Sequence, residues 1–289
     1  MKPRTVTEVR NATRTREGGG FVVRRPFPAP GIVQIDPFLL LDEMGPVDYA
    51  PGEAVGAPDH PHRGFETVTY LLAGEVEHED STGRAGRLGP GDVQWMTAGR
   101  GVVHAEMPSD RVQREGGRVH GFQLWVNLPA RDKMIPPRYQ EIPKERLPRA
   151  ESEDGKAAVT VIAGEALGAR AVIETRTPIA YHDWTLAPGA GVDVALPDDF
   201  TGFAYVFEGE AIVGGARVPD GGCARFEEGG PLRLEVPASA AAPARLLVVA
   251  GRPLREPVAR YGPFVMNTHA EIEQAFADFR SGTMGAITR

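Results

Sequence analysis

Hydrophobic residues in the first half of the chain gather in short runs and do not recur at helical spacing. Phe21-Val22-Val23, Phe38 to Leu41, Thr67 to Leu72, Asp92 to Met96 and Phe122 to Val126 are rich in β-branched and aromatic residues, the side chains that suit a pleated, half-buried surface. Turn signals separate them: Ala73-Gly74, Thr82-Gly83, Pro90-Gly91-Asp92 and Ala98-Gly99. From residue 19 to about 143 the pattern is almost wholly β, and strands at this spacing predict a sandwich or barrel. The stretch 135–155, charged and proline-rich, reads as a linker. Beyond it Ala158 to Ala163, Ala171 to Thr175, Phe203 to Phe207, Leu232 to Val236 and Arg245 to Val249 repeat the rhythm of the first half. A duplicated β-domain is therefore expected, divided as 1–134, a linker 135–155, and 156–289.

One helix is strongly written. Thr268 and Glu271 form a capping box, and Ile272, Ala275, Phe276 and Phe279 follow at i, i+3, i+4 and i+7. Gly282 stands where a C-terminal cap belongs. The opening stretch, rich in Arg and Thr, has the look of a transit peptide, but Val6 and Val9 lie in a strand-like pattern and Glu8 and Glu17 interrupt the basic run. It reads as a first strand.

Composition narrows the function classes. The 289 residues carry a net charge of -7, with no basic cluster flanked by stacking aromatics, which argues against direct nucleic-acid binding. One cysteine, Cys223, rules out a disulfide framework and a cysteine-based zinc site, so a reducing, cytoplasmic setting is the default. No apolar run approaches the length of a membrane span. Serines are few and none stands in a G-x-S-x-G context.

The candidate chemistry lies in two i, i+2 pairs. His60 and His62 lead into the Thr67 to Leu72 strand, and on an extended backbone both imidazoles project from one face. About forty residues on, His104 and Glu106 repeat the spacing. A single histidine in a strand is most often structural; two such pairs on neighbouring strands predict one metal site on rigid elements. The fourth ligand stays open on spacing, because Glu66 shares parity with His62 unless Gly64 disturbs it. Three imidazoles and a carboxylate suit Fe, Mn, Co, Ni or Zn. In an octahedral ion that set leaves two positions for substrate and O₂ or water, which for a catalytic protein favours Fe(II) or a neighbour over a closed tetrahedral zinc site.

Other candidates have blander readings. His78, beside the Thr82-Gly83 turn, is expected to be exposed. Gln123, Trp125 and Asn127 share parity and could line a pocket, although core packing is the simpler expectation. Cys223 reads as an inert small residue. His182 and His269 stand alone, and Val192, Asp193 and Val194 occupy the place where an H-x-H pair would stand in the second domain.

The segments HPHRGFETVTYLLAGEVEHEDS, GPGDVQWMTAGRGVVHAEMP and HGFQLWVNLP resemble the pirins, members of the cupin superfamily, as does EPVARYGPFVMNTHAEIEQAFADF near the C-terminus. The resemblance implies an all-β bicupin, two cupin-type antiparallel β-barrels with a C-terminal helix. It implies one metal per chain, usually iron, in the N-terminal barrel only, with the ligands falling on His60, His62, His104 and Glu106. Here the resemblance chooses Glu106 over Glu66, with Glu106 also the candidate catalytic base. Pirins divide in activity: some bacterial members open the ring of quercetin with O₂, and others act through protein partners in transcriptional or metabolic control. Two functions therefore stand: a metal-dependent dioxygenase of a flavonol-like enol, or a redox-responsive iron-binding regulator.

Overall fold

The computed structural model describes residues 2–289. The chain opens with β1 (Val6–Asn11), β2 (Thr13–Glu17), β3 (Phe21–Phe27) and β4 (Phe38–Tyr49). It continues with β5 (Ala57–His62), β6 (Phe65–Ala73), β7 (Val76–Asp80), β8 (Ala85–Leu88), β9 (Val93–Thr97) and β10 (Val102–Pro108). A short helix, α1 (Asp110–Glu115), precedes β11 (Gly117–Asn127) and β12 (Arg138–Ile142). The predicted capping box is present: the Thr268 hydroxyl accepts from the Glu271 amide, the Glu271 carboxylate accepts from the Thr268 amide, and α2 runs His269–Arg280. Gly282 follows at φ 76°, the left-handed turn that a glycine makes without penalty. No helix of the described residues is long and apolar enough to cross a membrane.

The chain forms two compact units whose boundaries differ from the contiguous division expected from sequence. One unit holds residues 14–25, 39–144 and 255–289; the other holds 2–13, 26–38 and 145–254. The terminal helix therefore belongs to the unit that carries His60, and the N-terminal strand to the opposite one. The reason is pairing: β1 runs antiparallel to Gly222–Phe226, with Val9 opposite Ala224. The proline-rich stretch is not a free linker either. Arg138 to Ile142 pair residue by residue with Thr97 to Val93, and Arg149–Glu151 pair with Ala158 to Thr160.

The first unit contains a seven-stranded sheet, ordered β12-β9-β6-β11-β4-β3-β2, and a four-stranded sheet, ordered β5-β10-β7-β8. Met96 on β9 packs with Val102 on β10, so the sheets share apolar contacts. The second unit repeats the arrangement, with a sheet of seven strands and one of four. Its sheets enclose one core built from Trp184, Val206, Leu246 and Phe226 on one side and Val194, Val213 and Leu234 on the other. Each such fully buried side chain contributes about 1.5–3 kcal/mol. Val192 and Val194 belong to this core. The strands thus make pairs of facing sheets in the cupin manner without closing into barrels, and Ala171 to Thr175 does not form a strand.

Candidate metal centre

The register of β5, β10 and β7 brings the first three candidates together. His104 lies directly opposite His60, and Val102 opposite His62, on antiparallel strands. The side chains of His60, His62 and His104 converge as the i, i+2 argument requires, with ring centroids 4.7, 4.3 and 5.0 Å apart. One nitrogen from each ring lies within 4.8 Å of the others. His62 and His104 are buried and His60 half-buried.

Two of the rings are held from outside the cluster. His60 Nδ1 donates to the Pro58 carbonyl at 2.8 Å, which leaves Nε2 as the lone-pair atom. His62 Nδ1 lies 3.5 Å from the Pro263 carbonyl, a longer contact of the same kind. Burial holds the His62 imidazole well below its ordinary value, reinforced by its two imidazole neighbours. Burial likewise brings His104 down to about 4, against the opposing pull of Glu106. Both rings are neutral at pH 7, the state in which imidazole binds a metal. Both nitrogens of His104 are buried and have no hydrogen-bond partner. Leaving such atoms unpaired costs about 1–3 kcal/mol each, and a cation among the three rings would satisfy one of them.

Glu106 sits on the same strand but outside the tight triad. Its Oε1 accepts from the Thr69 hydroxyl at 2.9 Å and its Oε2 from the Gln123 side-chain amide at 2.9 Å. Thr69 and Gln123 are cross-strand partners on β6 and β11, so they reach the carboxylate side by side. Burial pushes the Glu106 carboxyl up, but His104, His60 and these two hydrogen bonds outweigh it and hold it below the usual carboxylate range. Each oxygen keeps a further lone pair free.

Glu66 lies elsewhere. Gly64, at φ 87°, breaks the backbone between β5 and β6, and a Cβ there would lie 1.9 Å from the Val265 carbonyl oxygen. Parity from His62 to Glu66 is thereby lost, and the Glu66 carboxylate accepts from the Thr97 hydroxyl at 2.6 Å. The buried Lys133 ammonium fixes the same turn, donating to the Gly64 and Val265 carbonyls at 2.7 and 3.0 Å and to Asn127 Oδ1 at 2.7 Å.

A cavity of about 680 Å³ opens on the cluster. His60, His62, Glu106, Thr69, Gln123 and Trp125 line its polar end. Leu40, Phe21, Val22 and Met44 are among its apolar walls, the mixture expected of a small-molecule site. Gln123 and Trp125 thus line a pocket, whereas Asn127 is buried against Lys133. Parity in the Phe122 to Val126 strand was the available signal. Thr69 carried only its strand parity, and nothing in the sequence pointed to Pro263 or Arg260, which join the site from about two hundred residues away.

His78 is buried, contrary to its expected exposure. It faces Gly86 across the β7–β8 pair, where a Cβ would fall 2.4 Å from its Nε2, and it reaches the Glu141 carboxylate at 2.7 Å. The missing side chain at Gly86 makes room for the ring.

An imidazole triad between the sheets of one unit, in a chain that folds that unit twice, defines a two-domain cupin-type protein. Comparison with known proteins agrees. The Pirin family matches residues 20–126, and the Pirin C-terminal cupin domain matches residues 181–285. The chain is 45% identical to human Pirin over 278 residues, covering 93% of this chain and 90% of that one. It is 43% identical to a Pseudomonas aeruginosa protein that carries the provisional name quercetin 2,3-dioxygenase, covering 97% and 98%. A crystal structure of quercetin 2,3-dioxygenase from Acinetobacter baumannii superposes with a TM-score of 0.92 at 38% identity, covering 99% and 100%. The chain belongs to the pirin family.

Proposed function

We propose that His60, His62 and His104, with Glu106 as fourth ligand, hold one divalent transition metal, Fe(II) in the first instance, and that the protein is a dioxygenase of enol-bearing aromatics such as quercetin. One observation carries the reading: a triad of imidazoles, two of them kept neutral by burial and one of these with both nitrogens orphaned, lies beside an ionised carboxylate at the head of a largely apolar cavity. Neutral nitrogen donors and one carboxylate match Fe(II) and its neighbours in softness; Zn, Ni, Mn and Co are the other candidates. The quercetin 2,3-dioxygenase names of two relatives support the substrate class.

A metal of this kind, when bound, lowers the pKa of an enol oxygen and makes the substrate an electron donor to O₂. The protein's own part is placement and proton handling. The apolar walls exclude water and receive the flat rings. Glu106 accepts the enol proton, and Thr69 and Gln123 keep its carboxylate aimed while it does so. Neither donor can take that proton in its place, so removing Glu106 removes the base.

The same ligands would serve a redox-responsive regulator, the other reading of the resemblance, and one experiment separates the two. Metal content and quercetin turnover are measured on the same sample, anaerobically and then in air, following loss of the flavonol absorbance. The dioxygenase reading requires turnover only with both metal and O₂, abolished in Glu106→Gln. Fully metallated protein that leaves a panel of flavonols intact in air, yet captures a protein partner in one oxidation state only, contradicts it.

A further inference from the structure

Two guanidinium groups line the cavity, and they differ in their partners. Arg25 is taken up by carboxylates: Nε donates to Asp42 at 2.7 Å, Nη2 to the second Asp42 oxygen at 2.6 Å, and Nη2 lies 2.7 Å from Glu17. Arg260 has no carboxylate within ion-pair distance among the described residues. Its Nη1 donates to the Leu39 carbonyl at 3.0 Å, and the guanidinium lies 4.9 Å over the Trp125 ring. Among the described residues its guanidinium makes no other hydrogen bond, and the residue lines the cavity.

The placement is specific. Trp125, on which Arg260 stacks, is itself 5.2 Å from the His62 ring and donates through Nε1 to Gln123 Oε1 at 3.1 Å. Gln123 in turn holds Glu106. The cation is therefore two ring contacts from the imidazole triad, within one flat molecule's reach of it. Its position is costly: burial and the charge of Arg25 together outweigh Asp42 and Glu17 and bring the guanidinium below its ordinary value. A half-buried cation without a carboxylate partner, beside apolar walls, calls for an anion supplied by the ligand.

We propose that Arg260 is a specificity-determining residue that receives an oxyanion substituent, a carboxylate or an ionised phenol, on the aromatic substrate whose enol end lies at the imidazoles. This rests on the cavity being the substrate site proposed above. The planar guanidinium suits it: it lies over the Trp125 ring, and its rigid fork of N–H donors matches an oxyanion in a way a lysine does not reproduce.

The test is binding, measured by calorimetry on metal-loaded protein without O₂ so that nothing turns over. Two pairs of flavonols are compared: one with a carboxylate or a neutral carboxamide on the pendant ring, the other with a free or a methylated phenol there. The carboxylate should bind about tenfold or more tighter than the carboxamide, as a charge-assisted contact requires. A matching preference for the free phenol identifies phenolate as a natural partner; its absence restricts the site to carboxylates. Arg260→Gln should abolish the carboxylate preference while carboxamide affinity stays within a few-fold, and Arg260→Lys should keep only part of it. The preference should persist after metal removal, since it comes from the guanidinium. Equal affinity of the unmodified protein for carboxylate and carboxamide overturns the proposal whatever the variants do. So does a preference that survives Arg260→Gln or vanishes with the metal. Absence of turnover in air with the charge preference intact would instead refute the dioxygenase reading and leave this one standing.

Discussion

Arg63, the residue after His62, forms a 2.8 Å ion pair with Asp278 on α2, and its Nε donates to the Arg100 carbonyl at 2.6 Å. The terminal helix therefore clamps the turn that follows the His60–His62 strand. Asp278→Ala would leave the buried Arg63 guanidinium without its counter-charge, a loss on the order of 1–3 kcal/mol. Urea unfolding should show that loss, and metal affinity should fall several-fold as the turn loosens. Unchanged stability and unchanged affinity together would show that the helix contributes nothing to the site.

Gly64 offers a sharper version of the same claim. Its φ of 87° and the 1.9 Å approach of the Val265 oxygen to any Cβ leave no conformation for a side chain. Gly64→Ala must shift the His62 turn or the 264–266 strand against it, and should cost several kcal/mol, among the largest effects of any single substitution here. A soluble, fully metallated Gly64→Ala protein with wild-type melting behaviour would refute that placement.

How much of this was legible in the sequence depends on how far apart the partners lie. The i, i+2 spacing of His60 with His62 was enough to place both on one face, and Thr268 with Glu271 was enough for the capped helix, because both are local rules. Spacing alone could not separate Glu66 from Glu106, since it does not show the Gly64 turn, held by Lys133 and Val265, beyond which the Glu66 carboxylate meets Thr97. The exchange of β1 and the terminal helix between the units escaped for a related reason. Contacts across two hundred residues leave no local periodicity, whether strand pairing, as with Val9 and Ala224, or an ion pair, as with Arg63 and Asp278. His78 was misjudged because its burial depends on Gly86 across a hairpin, and not on its own acidic neighbours.

The second unit has a pH signature of its own. His182 is buried with both ring nitrogens unpaired, and burial brings it down to about 4. As pH falls below the unfolded value of about 6.5, the unfolded chain takes up a proton that the folded one refuses until near 4. Stability is lost across that window and the loss levels off beneath it. Between pH 7 and pH 5 this amounts to roughly 2 kcal/mol. His182→Leu should lose about that much less than the wild type over the same interval, read from urea midpoints at the two pH values. Parallel pH profiles for the two proteins would mean that His182 is protonated without penalty.

In the proposed reaction Gln123 and Thr69 act by holding Glu106. Gln123→Leu removes one hydrogen bond to the ionised carboxylate and should raise its pKa. Turnover of quercetin should fall about tenfold or more while most of the metal is retained, and the acid limb of the rate profile should move to higher pH. A fall in rate with no movement of that limb would point to a packing defect in place of lost orientation.

The ligand set itself is tested most directly by counting metal. Elemental analysis of the purified chain should give about one divalent transition metal per molecule, retained in Glu66→Gln and weakened in Glu106→Gln. It should fall to near none in His62→Ala and His104→Ala, whose folds should survive because the cores of both units are untouched. A full complement of metal in His62→Ala, or about two metals per chain in the wild type, would contradict the assignment of one site to His60, His62, His104 and Glu106.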